Sequence, residues 1–125
     1  MKKTILTVLC CIIYIIIYSQ EYNNAEANKI INGADRIYYN DNKTFPSYIK
    51  FNSSLDKTID QLLSEWQKTF KINFKLLNVD KDLLGFEHYI YQEYYDTIPI
   101  EWAIFKLHVK NGKINSFSGT IWTNI

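Results

Sequence analysis

Asn111-Gly112 stands between two alternating stretches, Ala103 to Lys110 before it and Lys113 to Trp122 after it. The pair supplies the two φ > 0 residues of a type I′ turn, whose twist matches that of paired strands, so this part of the chain is committed to an antiparallel hairpin. Gly85 opens another alternating stretch, Phe86 to Tyr95, and Asp96 to Pro99 breaks it before the hairpin starts. Three such runs joined by turns predict a C-terminal three-stranded antiparallel meander. A sheet with one apolar face needs a cover.

The cover is found upstream. Ile59, Leu62, Leu63, Trp66 and Phe70 follow the i, i+3, i+4, i+7 spacing of one helix face, while Lys57, Asp60, Gln61, Ser64, Glu65 and Lys68 occupy the rest. The spacing predicts a helix over Leu55 to Phe70, capped by Ser53 or Ser54, with the stripe buried as core. Arg36 to Tyr39, Tyr48 to Phe51 and Phe74 to Leu77 read as short strands, the first two near an edge. Asn40-Asp41-Asn42-Lys43, Pro46 and Asp80-Lys81-Asp82 supply turn chemistry. The expected fold class is α+β, one amphipathic helix packed on an antiparallel sheet with the C-terminal three-stranded meander.

The first residues have a different character. Lys2 and Lys3 precede an uncharged apolar run from Ile5 to Tyr18, followed by Ser19-Gln20-Glu21, the order of a secretory signal. The run is about 14 residues, short of the roughly 20 that span a bilayer as a helix. Residues 1–20 are therefore expected to be a signal peptide cut near Ser19 or Gln20, leaving no stable membrane anchor. An uncleaved anchor is the alternative, since Tyr14, Tyr18 and the isoleucines make a poor small-residue cleavage site. Cys10 and Cys11 are the only cysteines and both lie in this run, so the exported chain has neither disulfide nor thiolate ligand. Val8 and Leu9 before Cys10 argue against a lipoprotein. Residues 21–32 are polar and Asn-rich without a periodic stripe, the pattern of a disordered leader, and 33–125 form the domain.

The remaining stretch of about 105 residues must hold itself by its core. Three Trp, seven Phe and, once Tyr14 and Tyr18 are set aside, eight of the ten Tyr supply it. Removing Lys2 and Lys3 from the 14 basic side chains leaves 12 against 13 acidic, a net charge near −1 that offers no footprint for nucleic acid or anionic membrane.

No His-Glu-x-x-His, Gly-x-Ser-x-Gly, dinucleotide or phosphate-loop pattern occurs, so no enzyme and no cofactor are expected. A tight turn at Asp96 to Pro99, with pairing around Ile98, would set His88 opposite His108 on neighbouring strands. Two ligands fall short of the three that a structural or catalytic zinc takes, and the pair reads as satisfied strand histidines. Glu87 and Glu93 share a strand face about 20 Å apart, too far for paired-carboxylate chemistry, and read as surface charges. Tyr89, Tyr91 and Tyr95 line one face of the long strand and Phe86, Ile90 and Tyr94 the other. One row covers the helix; the other is either covered by leader and loops or open to a protein partner.

Thr44-Phe45-Pro46-Ser47-Tyr48-Ile49-Lys50-Phe51, Leu84 to Tyr95 with Gly-Phe-x-His-Tyr-x-Tyr-Gln, Ile98-Pro99-Ile100-Glu101, and Leu107 to Ile114 occur in that order. Together they resemble the FTP segment, the first part of the fungalysin and thermolysin propeptide, over about Gly33 to Trp122. The resemblance implies the N-terminal pro-region module of a secreted thermolysin-like zinc metallopeptidase, acting as intramolecular chaperone and inhibitor. Its implied partner is the catalytic domain of such a peptidase, in cis in a longer precursor or in trans. A PepSY-type pro-domain and a His-Glu-x-x-His domain would follow in such precursors, whereas this sequence stops at Ile125. Thr97 and Trp102 stand where the family usually has glycines. The candidate interface is the long strand and its turn: Phe86, His88, Tyr89, Tyr91, Gln92, Tyr95, Ile98 and Pro99. A free-standing secreted binding module with no protease partner is the second functional class.

The exported protein is expected to begin between Gln20 and Asn24. Intact-mass spectrometry that finds Cys10 and Cys11 in the mature species contradicts this.

Overall fold

A computed structural model describes residues 20–40 and 44–123. The expected signal run, Ser19 and Asp41 to Lys43 of the first turn lie outside the described residues. In chain order the elements are β1 (Glu21–Asn23), α1 (Asn24–Ile30), β2 (Ala34–Tyr38), β3 (Tyr48–Phe51), α2 (Ile59–Phe70), β4 (Asn73–Lys81), β5 (Phe86–Tyr95), β6 (Ile98–Lys110) and β7 (Lys113–Gly119). The strands form one sheet in the order β1-β2-β3-β7-β6-β5-β4, every neighbour antiparallel. The fold is α+β, with two helices among the described residues rather than one.

Period-two alternation decides which side chains meet α2. Tyr91 pairs with Phe105, Leu107 with Phe117, Phe117 with Ile49, and Ile49 with Ile37. All of these join Leu62, Leu63 and Trp66 of α2 in one buried cluster. Trp66 meets Phe45 and Phe117 edge-on at centroid distances of 5.2 and 5.5 Å. Asn111 and Gly112 both have positive φ, 53° and 74°, as the turn between β6 and β7 requires. The meander is longer than expected, because β4 also pairs with β5.

Three expectations need correction. The helix starts at Ile59, not Leu55, because Thr58 caps it: its hydroxyl accepts from the Gln61 N–H and the Gln61 side chain accepts from the Thr58 N–H. Ser54 is held in a turn instead, its N–H donating to Asn52 Oδ1 at 2.8 Å. Asp80 and Lys81 belong to β4, and the turn falls at 82–85, where Asp82 Oδ1 accepts from the Leu84 and Phe86 amides. Finally, the stretch expected to be a disordered leader forms β1 and α1. Glu21 to Asn23 pairs with β2, and Ala27 and Ile31 are buried in the core. One buried residue on so short a helix and a second at its C-cap leave too little periodicity to read from sequence.

Trp66→Ala is expected to destabilise the domain by about 3–5 kcal/mol, while exposed Lys68→Ala stays within about 0.5 kcal/mol. Equal urea midpoints for the two variants contradict the packing of α2.

Candidate functional site

Strand β6 outruns β7, whose pairing ends at Phe105 with Gly119. Backbone closes in there: a Cβ on Gly119 would lie 2.5 Å from Ile104 O, so no larger residue fits. Beyond that point β5 and β6 continue as an arm, ending with Tyr95 paired to Ile98. The register slips between Gln92 and Tyr94, which face Ile104 and Pro99, so β6 bulges around Ile100 to Ala103. Gln92 holds that bulge shut, the two N–H groups of its Nε2 shared among the carbonyls of Glu93, Ile100 and Ala103 at 2.9, 2.8 and 3.2 Å.

The arm exposes large apolar groups. Tyr95 is 53%, Ile98 66% and Trp102 82% exposed, and Pro99 is open to solvent. Trp102 also has φ +65°, a left-handed conformation that a bulky side chain adopts only under constraint. Trp102 was not among the sequence candidates, although its place at a usual family glycine was the available signal.

Other sequence candidates lie elsewhere. Tyr91 is buried against Phe74 and Phe105 and presents nothing to a partner. Burial pushes its hydroxyl pKa up to about 12. Tyr89 is half-buried on the same helix-facing side, its hydroxyl donating to Glu87. Phe86, His88 and Gln92 are half-buried on the opposite face. Tyrosines 89 and 91 thus share a face as expected, and that face is the core side.

Glu93, expected at the surface, is 1% exposed. Strict alternation from Tyr91 turns it inward, where its Oε1 accepts the Trp122 N–H at 2.7 Å. Desolvation raises its pKa to about 7, against the opposing pull of that amide.

A second polar assembly crosses the outer face. His88 and His108 are register partners as expected, although the turn falls at 96–97 with Ile98 and Pro99 already in β6, and it is the β6 bulge rather than pairing around Ile98 that brings the two into register. Their Nδ1 atoms are 2.6 Å apart, His88 Nε2 is 2.8 Å from Asp82 Oδ2, and His108 Nε2 is 2.8 Å from Ser118 Oγ. With Asp82 ionised and both rings neutral, one proton arrangement satisfies every contact. The Ser118 hydroxyl donates to His108 Nε2, His108 Nδ1–H to His88 Nδ1, and His88 Nε2–H to Asp82. The His88 hydrogen bond, chiefly, and the Phe86 and Leu84 amides hold the Asp82 carboxyl below its ordinary pKa. Burial, with His88 and Lys106 adding to it, lowers that of His108. Among the described residues no group of three or more His, Cys, Asp or Glu side chains is placed to hold a metal ion.

The geometry is that of a small antiparallel α+β domain with an aromatic projecting arm. Residues 72–121 match the family model described as the Fungalysin/Thermolysin Propeptide Motif. This stretch, β4 to β7, is therefore similar to a motif described as one of propeptides. No curated protein and no solved structure matches the chain.

Glu93 yields a pH prediction. Its folded pKa, about 7, lies above the ordinary 4.5, so its contribution to stability is complete below about 4.5 and is lost as pH rises through 7. Glu93→Gln keeps an acceptor for Trp122 without the buried charge. It is expected to stabilise the domain at pH 8 by on the order of 2 kcal/mol and to change little at pH 4.5. Denaturant unfolding at the two pH values checks this; equal effects at both contradict it.

Proposed function

We propose that the domain is the pro-region module of a secreted thermolysin-like zinc metallopeptidase, binding the catalytic domain as inhibitor and folding assistant. The observation that carries the reading is the coincidence of the FTP motif with β4 to β7, the same segment that bears the aromatic arm. Tyr95, Ile98, Pro99 and Trp102 are the docking residues in this reading. Large side chains held on a constrained bulge lose little freedom when they enter a cleft. Export rests on the N-terminal signal pattern; none of the described helices is long and apolar enough to cross a membrane.

A pro-region joined to its protease works at an effective concentration around millimolar, so contacts giving only micromolar affinity in trans suffice for inhibition in cis. Folding assistance follows from the same contacts where they form in the protease's folding transition state.

Titration of the domain against a thermolysin-like catalytic domain is expected to show inhibition with a Kd in the micromolar range, about −8 kcal/mol. Tyr95→Ala and Trp102→Gly should each weaken binding about tenfold, the loss of roughly 1.4 kcal/mol. Trp102→Gly also relieves the left-handed backbone, so its stability should hold or rise while binding falls. Neither inhibition nor binding at about 100 µM contradicts the reading and leaves the partner-free binding module.

A further inference from the structure

We propose that His88 and His108 form a two-imidazole site for a divalent transition-metal ion, with Cu²⁺ the tightest binder and Ni²⁺ and Zn²⁺ weaker. The two Nδ1 atoms point at each other from neighbouring strands, and the opposite nitrogen of each ring already has a polar partner. Metal-bound imidazoles are built this way: one nitrogen on the metal, the other donating to a carboxylate or similar acceptor that fixes ring and tautomer. Asp82 is such an acceptor for His88 and is itself anchored by the Leu84 and Phe86 amides. Ser118 Oγ lies 2.8 Å from His108 Nε2 and, being a hydroxyl, can turn from donor to acceptor when that nitrogen carries the proton.

Metal–nitrogen bonds of about 2.0–2.1 Å at angles between square-planar and tetrahedral set the two nitrogens roughly 2.9–3.3 Å apart, against 2.6 Å without metal. The two rings must move apart and also turn, since an ion held by both nitrogens lies off the line that joins them, about 35–45° from it for such coordination angles. Proton positions change as follows. His108 gives up Nδ1–H to become the Nε2–H tautomer and donates to Ser118 Oγ, whose hydroxyl hydrogen turns away. His88 keeps Nε2–H on Asp82, both Nδ1 lone pairs go to the metal, and no net proton is released. Solvent supplies the other coordination positions, since the His88 side chain is 26% exposed. Two protein ligands do not make a closed structural zinc site. They suit an exchangeable one, whose preference follows imidazole chemistry and the Irving–Williams order.

The test is Cu²⁺ alone, titrated into the purified protein by calorimetry and read by electron paramagnetic resonance. One ion per chain with two imidazole nitrogens in the spectrum is expected. His88→Ala and His108→Ala should each abolish that site, and Asp82→Asn should weaken it about 10- to 100-fold with both nitrogens retained. Because an alanine variant could misfold, paramagnetic broadening of wild-type amide signals gives an independent reading, expected first around residues 88 and 108. No binding, fewer than two imidazoles, broadening centred elsewhere, or undiminished affinity in a folded His108→Ala overturns the proposal.

Discussion

The edge-on packing of Trp66 against Phe45 and Phe117 is the contact on which the architecture depends. The sheet has an N-terminal ribbon, β1 to β3, and a C-terminal meander, β4 to β7, joined where β3 pairs with β7. That junction is short: Tyr48, Ile49 and Lys50 against Ser118, Phe117 and Ser116. So few ladder bonds make a weak seam, and no cysteine among the described residues is there to reinforce it. Trp66 touches Phe117 on one side of the seam, and on the other Phe51, the last residue of β3, and Phe45, which precedes that strand. The helix therefore fastens the two halves together as well as covering the sheet.

Sequence reading succeeded where one periodicity acted alone. The stripe from Ile59 to Phe70, the Asn-Gly turn and the alternation of Phe86 to Tyr95 correspond to α2, the β6–β7 turn and β5. It failed where tertiary contacts decide between equal local options. Ser53, Ser54 and Thr58 are all competent caps, and Thr58 wins because Gln61 completes a reciprocal pair three residues on. The polar segment that forms β1 and α1 is ordered by β2 pairing and by burial of Ala27 and Ile31, long-range effects invisible in a seven-residue helix. Burial of Glu93 was legible in principle, since it shares parity with core-facing Tyr91. Its charge argued for the surface, and the Trp122 amide that receives it comes from 29 residues away. For the candidate site, the His88–His108 pairing was legible, whereas Asp82 and Ser118 as their outer partners required the finished turn and the β7 register.

Parity along β5 separates what this strand can do. Residues in register with the core, Tyr89, Tyr91 and Glu93, are committed to α2 and the C-terminal segment, and a partner that reached them would have to open the domain. Residues of the other parity carry His88 and Gln92, already tied to Asp82, His108 and the bulge carbonyls. Neither face of the strand's middle is free to anchor a partner. The end of the β5–β6 arm differs, because β7 no longer pairs there and Tyr95, Ile98 and Trp102 are exposed. There Trp102 occupies a left-handed position that glycine would take without strain. A bulky residue kept at such a position, almost fully exposed, adds nothing to the core while raising the energy of the folded backbone. The proposed binding role is attached to the arm for that reason: Trp102 and Tyr95 are exposed there, whereas Tyr91 of the same tyrosine row is buried in the core.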